Sequence, residues 1–463
     1  MRNGNGHSGL RLHRCIGFFG SLTLRILFHY NELYETSCFN ICFFGLPALS
    51  IIRDKSLAPA GIAKINWVKD FMPVLNLLEK KVSAEQPLKG MKVAVCVHVE
   101  AKTAYLGMVL RAAGAEVSIT ASNPLSTKDD VCAALDSLGF QIYAWHDATA
   151  EEYHDHLVKA LEFSPHIIID DGGDLVNLLH DEVPQYAKNL IGGCEETTTG
   201  VHRLRIRSKA GKLNFPMFAV NDAKSKYLFD NHHGTGQSTW DAIMYSTNNM
   251  ISGRTVVVAG YGNCGSGIAA RAKGLGANVI ITETDPHKAL EALMEGFRVM
   301  PMLEAAPLGD IFVTATSCNK VITADHFKLM KNNVLLANAG HFDVEVDIDA
   351  LEKSCVKKEN RKPFIDGYYM PDGKILNLLA EGRLVNIVAG NGHPADIMDL
   401  SFSVQLLSVI YVAKNAGGLK PMLYDVPKEI DDDVARIKLE AMGVTIDTTT
   451  ALQAEYLGSI NVI

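Results

Sequence analysis

Patterned cysteine, basic runs and membrane-length apolar runs are all missing from this 463-residue chain. Its nine cysteines include no CxxC, and an odd, unpatterned set in a chain this long reads as reduced thiols in a cytoplasmic protein. Formal net charge is −8. A mildly acidic chain gains no counterion-release energy on DNA, so no nucleic-acid partner is expected. No run of about 20 apolar residues is present, so no membrane partner is expected either. Two histidines flank an acid in EEYHDH (151–156). Residues two apart on a helix point away from each other, so His154 and His156 read as a solvated helix face, and no metal is expected.

What remains is the composition of a soluble globular α/β enzyme, 48% hydrophobic and 21% charged with 38 glycines. The length allows two or three domains. The opening differs from the rest. Residues 1–50 are rich in Phe, Cys, Leu and Arg, and their only acids are Glu32 and Glu35. This stretch reads as spurious or disordered chain, as an Arg-rich targeting segment, or as real structure. Residues 1–51 are therefore set aside as an atypical extension.

From Ile51 onward strands and helices alternate. SLAPAGIAKINWVKDFMPVLNLLEKKV has helical spacing. Then KVAVCVHV, EVSIT, QIYAW and HIIIDDGG read as strands separated by amphipathic helices. A second set starts at Arg254, with TVVVAG, NVIITE, VMPML, DIFVTAT, NVLLANAG, FID and LVNIVAG as strands. Short β-branched strands followed by helices imply parallel βαβ units. The fold class is α/β, with two doubly wound parallel-sheet, Rossmann-like domains. The boundary between them is placed in FDNHHGTGQS, read as a polar linker.

Six motifs carry the chemistry. In VVVAGYGNCGSG, Gly260, Gly262 and Gly265 form G-x-G-x-x-G between a strand and a helix. Such glycines permit a tight turn and close approach of a pyrophosphate to a helix N-terminus. Glu283 ends the next strand, where a carboxylate binds both ribose hydroxyls and repels a 2′-phosphate, favouring NAD over NADP. Cys264 inside the loop reads as inert packing. In DDGGD (170–174), acids at the carboxyl end of a parallel strand sit in the ligand crevice. Asp171 is the functional choice there, and Asp174 reads as a helix N-cap. GCEETTTGVHRL reads as a poor helix start and a poor buried strand, but as good ligands for hydroxyls and cofactor. In KYLFDN (226–231), Lys226 and Asp230 share a face if the segment is helical; a surface ion pair is the bland alternative. NAGHFDVEVD carries His341, and NIVAGNGHPADIMDLSF carries Asn386 and His393.

Together and in this order, DDGGD, EETTTGVH, KYLFDN, GYGNCGSG, ITETDP, GHFDVEVD, EGRLVN and GHP resemble the S-adenosylhomocysteine hydrolase family. The resemblance runs from about Ile52 to Leu457. It implies reversible hydrolysis of S-adenosyl-L-homocysteine to adenosine and homocysteine. The ribose 3′-OH is oxidised with NAD, which acidifies the 4′ C–H. Homocysteine then leaves C5′ by β-elimination, water adds, and the 3′-ketone is reduced again. It implies that Lys226 touches the 3′-OH, with Glu196 and Asp230 on the ribose hydroxyls, and that His98 and Asp171 are acid–base groups around C5′. Thr197, Thr198, Thr199 and Asn231 match NAD contacts. So do the loop residues Gly260, Gly262, Asn263, Cys264, Gly265, Ser266 and Gly267, together with Glu283 and Lys288. Asn338, Ala339, Gly340, His341, Asn386 and His393 match positions around the nicotinamide and the entrance. NAD is implied to be tightly bound, one per subunit, in a cytoplasmic homotetramer. The implied substrate domain is 52–230 completed by 394–425, the NAD domain is 231–393, and 426–463 is a C-terminal segment.

The chain departs from the family pattern in places. It stops at QAEYLGSINVI, where members continue to a Lys- and Tyr-bearing tail that reaches a neighbour's NAD site. Lys288 stands where many members have Asn. After His98, V-E-A-K-T replaces the common M-T-V-E-T, so Glu100 stands for Thr and Lys102 for Glu. The usual Glu accepts from adenine's 6-amino group, whereas lysine only donates and suits the 6-oxo group of hypoxanthine. The alternative substrate is therefore S-inosyl-L-homocysteine, unless Lys102 simply pairs with Glu100. An NAD-dependent dehydrogenase and a nucleotide-sensing paralogue are the rival classes. The complete set His98, Asp171, Glu196, Lys226, Asp230 and His341 argues against the second.

Overall fold

The computed structural model describes residues 50–459. The extension set aside from the fold lies outside them, except for Ser50 and Ile51. Six strands alternate with helices in the first half: β1 (Lys92–Cys96), β2 (Glu116–Thr120), β3 (Gln141–Tyr143), β4 (Ile167–Asp170), β5 (Gly192–Glu195) and β6 (Met217–Ala219). The second half holds β7 (Thr255–Ala259), β8 (Asn278–Thr282), β9 (Arg298–Val299), β10 (Ile311–Thr314), β11 (Val334–Asn338), β12 (Lys357–Lys362), β13 (Ile365–Tyr369) and β14 (Ile375–Leu379). The chain then returns to add β15 (Leu423–Asp425) to the first sheet.

The first sheet has the order β15-β6-β5-β4-β1-β2-β3, and every neighbouring pair is parallel. Ile51 bridges Tyr143 at its edge, one residue before the domain boundary read from sequence. The second sheet has the order β12-β13-β14-β11-β10-β7-β8-β9. It is parallel from β14 to β9 and ends in an antiparallel hairpin, β12–β13. Strands such as TVVVA and IIID are buried on both faces because helices cover each side. Each fully buried Val, Leu or Ile contributes about 1.5–3 kcal/mol of transfer free energy.

Several local expectations are corrected. FDNHHGTGQS is no linker loop: residues 230–234 form a π-helical turn that runs into the helix Thr235–Thr247. Gly236 makes this possible, since a Cβ there would lie 2.6 Å from Gly267 O on the crossing helix. VMPML gives only a two-residue edge strand and then a helical turn, Met302–Ala305. LVNIVAG contains the short helix Val385–Val388. FID lies in β13 and runs antiparallel. EETTTGVH does start a helix, Thr198–Lys209, straight after a buried strand. His156 is not solvated. It is 3% exposed and meets Trp145 edge-on at 4.2 Å. Among the described residues no His/Cys/Asp/Glu cluster could hold a metal.

The helix Ala395–Asn415 ties the halves together. Against the reading from sequence, the stretch Ala395–Gly418 has the length and apolarity of a membrane span, but its most apolar window is 72% buried in the protein core. It packs on the helix Pro73–Glu85 and on β4 and β5. Asp399 caps the first of these, accepting from Val74 N and Leu75 N at 3.0 and 2.9 Å.

Candidate active site

Each sheet has one place where chain connections diverge to opposite sides, and ligands bind outside the carboxyl ends of strands at such points. In the first sheet this is between β1 and β4, and in the second between β7 and β10. His98 and Glu100 follow β1, Asp171 follows β4, and Glu196 follows β5. Gly260 follows β7, and Ala339 to His341 follow β11. The two sets of loops face one cleft. Its lining includes His98, Glu100, Lys102, Asp171, Glu196, Thr197, Thr198, Thr199, Lys226, Asp230, Asn231, Cys264, Ala339, Gly340, His341, Asn386 and His393.

One charged cluster centres on Lys226. Its Nζ lies 3.5 Å from Asp230 Oδ1 and 3.8 Å from Glu196 Oε1. It also donates to Asn231 Oδ1 at 3.0 Å and Asn221 Oδ1 at 3.3 Å. All three charged groups are buried, so the surface-pair reading of the i, i+4 spacing fails. Burial works against the Lys226 charge, but Asp230 and Glu196 outweigh it and raise its pKa. Burial would raise Asp230 too, yet Lys226, His393 and Ser401 hold it well below the usual carboxylate range. His393 Nδ1 is 3.0 Å away and Ser401 Oγ donates at 2.7 Å. One cation matched by one carboxylate leaves Glu196 the neutral member, pushed up to about 8 by burial. Gln405 donates to its Oε2, while its buried Oε1 has no hydrogen-bond partner.

A second cluster centres on Asp171. His98 Nε2 is 3.4 Å from Asp171 Oδ2, and His341 Nδ1 is 4.0 Å from Oδ1. Burial pushes the His98 pKa down to about 4, against the pull of Asp171, so the ring is neutral at pH 7. His341 sits directly on Gly172 (φ +110°), where a Cβ would lie 2.5 Å from its Nε2. Asp174, expected as an N-cap, is the first helical residue instead, and it accepts from Tyr153 at 2.8 Å. Asp170 ties down this turn, accepting from Asp171 N and Val176 N at 3.1 and 2.9 Å.

Glu100 caps the helix Ala101–Ala112, accepting from Lys102 N at 3.1 Å. Lys102 Nζ lies 2.9 Å from the same carboxylate and donates to Asn391 O at 3.1 Å. The pairing read as the bland alternative therefore exists. Two of the three ammonium protons are engaged, and the third is left for a ligand.

The remaining predicted cofactor residues lie mostly beyond the cleft, with Cys264 and Asn386 on its wall. A Cβ on Gly265 would sit 2.0 Å from Gly260 O, and one on Gly267 would sit 1.9 Å from His232 O. Those glycines serve packing. Gly262 differs: a Cβ there would meet only Lys288 Nζ, at 3.9 Å. Asn263 starts the following helix and Ser266 contacts His232. Burial raises the Cys264 thiol pKa, and Sγ accepts from Thr235 and Asn231 at 3.6 and 3.7 Å, as an inert thiol would. Tyr261 N, Thr284 N and Asp285 N fix the Glu283 carboxylate and, against burial, lower its pKa. Asn386 donates to Ser238 at 3.1 Å and leaves its buried Oδ1 unpaired at the cleft. An open glycine, an oriented carboxylate and an orphaned amide oxygen together fit a dinucleotide. Asn338 is the exception. It is fully buried and bonded to Gly340, Phe342, Gly382 and Thr314, so it shapes the loop rather than facing the cleft.

Sequence reasoning missed Ser126, Glu195, Asn221, Ser401 and Gln405. Ser401 and Gln405 lie one turn apart on a very apolar helix, and that i, i+4 polar pair was the available signal. Glu195 is fully buried, and its Oε1 joins two loops by accepting from Gly172 N at 2.8 Å and Thr197 N at 3.1 Å. Burial and the adjacent Asp170 raise its pKa strongly.

Comparison with known proteins agrees with this geometry. Residues 50–189 match the family described as S-adenosyl-L-homocysteine hydrolase, and residues 231–392 match the NAD binding domain of the same family. The chain is 53% identical over 409 residues to an S-inosyl-L-homocysteine hydrolase of Methanopyrus kandleri, covering 88% of this chain and 96% of that protein. It is 52% identical over 408 residues to an adenosylhomocysteinase of Pyrococcus abyssi, covering 88% and 97%. An adenosylhomocysteinase of Thermococcus kodakarensis is 53% identical over 408 residues, with the same coverage. With matches across both halves and near-complete coverage of these relatives, the chain belongs to the S-adenosyl-L-homocysteine hydrolase family.

Proposed function

We propose that the protein catalyses reversible hydrolysis of S-adenosyl-L-homocysteine to adenosine and L-homocysteine. The observation that carries this reading is the buried Lys226–Asp230–Glu196 cluster, which shares one cleft with the His98–Asp171 pair. NAD, when bound, supplies reversible oxidation at the ribose 3′ carbon. The Glu196 Oε1, lacking a partner, binds a ribose hydroxyl. The 3′-OH proton passes to Asp230, the ionised member of the cluster, and the Lys226 ammonium stabilises the 3′-oxyanion. With C3′ oxidised, the 4′ C–H is acidic. The proton leaving C4′ ends on sulfur as the C5′–S bond breaks, and a water proton ends on C4′ as the C5′–O bond forms. Neutral His98 carries it, and Asp171 balances the transient imidazolium; such placed proton transfer is worth roughly 10²–10⁴-fold. His341 and His393 close the cleft, which keeps the keto intermediate from water. Thr197, Thr198, Thr199, Asn231, Ala339, Gly340 and Asn386 face the cofactor, and Gly262, Asn263, Glu283 and Lys288 hold its far end.

The substrate domain is assigned to 52–230 with 394–425, the NAD domain to 231–393, and the last segment to 426–463. We assign one tightly held NAD per subunit, a homotetramer and a cytoplasmic location on the family pattern.

S-inosyl-L-homocysteine is the second reading, favoured by the free ammonium proton of Lys102. Glu100, beside it, can accept from a 6-amino group, whereas Lys102 donates to a 6-oxo group. The test offers both thioethers in parallel and repeats the assay with Lys102→Glu. A buried mispaired group costs about 1–3 kcal/mol, so the substitution should shift preference toward adenine about tenfold or more. Hydrolysis of neither thioether by the NAD-loaded protein would refute the proposal.

A further inference from the structure

We propose that Ser126 is the positioning residue for His98, holding Nδ1 so that Nε2 alone exchanges protons in the cleft. This rests on the reading of His98 as an acid–base group. Ser126 is 1% exposed and ends the turn Pro124–Ser126. Its Oγ lies 2.7 Å from His98 Nδ1 and 2.8 Å from Asn123 O. A hydroxyl has one proton and two lone pairs. Donating to Asn123 O and accepting from Nδ1–H uses both capacities of this buried group. The opposite orientation, donating to Nδ1, leaves the hydroxyl lone pairs without a donor.

The first arrangement fixes the tautomer. Nδ1 keeps its proton, and the neutral ring presents a bare Nε2 to the cleft; Asp171 Oδ2, 3.4 Å away, becomes its partner once Nε2 is protonated. When Nε2 gains a proton, Nδ1–H still donates to Ser126, so the hydroxyl need not turn. The backbone reinforces this, because Thr103 Oγ1 donates to His98 O at 2.6 Å and fixes where the ring starts. In each half of the reaction Nε2 gains one proton and loses one, so no external acid is required. Ser126 touches no reacting atom; it acts through His98.

The test uses the full-length, NAD-loaded protein with Ser126→Ala and Ser126→Thr. Reduction of the bound cofactor by adenosine reports the Lys226 half of the chemistry. That rate should stay within about twofold, while hydrolytic kcat in the alanine variant falls by about 10–100-fold, within the range for disturbed proton transfer. KM should change little, and the acid limb of the kcat/KM pH profile should move. Threonine, which keeps the hydroxyl, should restore most of kcat. Nitrogen-15 NMR of labelled histidine supplies a readout independent of turnover. The Nδ1–H tautomer of His98 should dominate, and the alanine variant should show a mixture. An unchanged profile and tautomer in Ser126→Ala would overturn the proposal, as would equal losses in both variants. Absence of both partial reactions in the unsubstituted protein would instead remove the hydrolase reading, and the NMR result would still judge the tautomer claim.

Discussion

The two sheets share a winding and a switch point, but they fill that point in opposite ways. The first places ionisable side chains there: Asp171, Glu196, Lys226 and Asp230, all buried, and the half-buried His98. The second places glycines and backbone, with Glu283 as the charged group at a strand end. One frame thus serves two tasks. Proton and charge chemistry needs groups whose pKa values are set by burial and neighbours, whereas holding a pyrophosphate needs close backbone approach. Damage to the first half should lower turnover with cofactor retained, and damage to the second should release cofactor with the protein intact.

Lys226→Ala breaks this contrast most severely. Loss of the amine should cost at least about 10²–10⁴-fold in kcat. It should also lower the melting temperature, because removing one member of a buried ion cluster costs about 3–5 kcal/mol. NAD content, measured on the purified protein, should be retained. Gly262→Ala is the mirror case. A Cβ there meets no protein atom closer than 3.9 Å, so the cofactor-free melting temperature should hold. NAD affinity should fall tenfold or more, about 1.4 kcal/mol, if the space belongs to the pyrophosphate. Titration calorimetry reads the second effect. A Gly262→Ala variant that keeps full NAD affinity would break the division of labour between the sheets.

The smallest effect is a pH dependence carried by buried carboxylates of the first half. Glu196 moves from 4.5 to about 8, and Asp170 from 3.8 to about 7. Between those values the folded state binds more protons than the unfolded one, so stability falls as pH rises. His98 works the other way, but only between about 4 and 6.5. From pH 6.5 to 8 the melting temperature of the cofactor-free protein should therefore fall, and Glu196→Gln should flatten that slope. Differential scanning calorimetry at several pH values measures it.

Most of this contrast was legible in the sequence because strand-terminal motifs are contiguous. GYGNCGSG and DDGGD each sit within a few residues, and the topology fixes where such loops end. What was not legible acts across the fold. Ser126 reaches His98 from 28 residues away, and Ser401 and Gln405 reach Asp230 and Glu196 from a helix 171 and 209 residues later. FDNHHGTGQS reads as a loop by composition, yet its glycines serve helix crossing. His156 was misread because periodicity does not say which polar residue a Trp will cover. The place of Asn338 behind the cleft was not legible either, because a match to a motif does not reveal that its side-chain polar atoms are already bonded.

The most direct test of the central claim is solvent exchange at carbon. The NAD-loaded protein would be held with adenosine in D2O without homocysteine, and the adenosine recovered and examined by NMR. Oxidation at C3′ inside a closed cleft, followed by reversible proton loss to the His98 side, predicts one solvent deuterium at C4′ with no net loss of adenosine. Adenosine recovered without deuterium, while reduced cofactor accumulates in solution, would mean an ordinary dehydrogenase and would contradict the account.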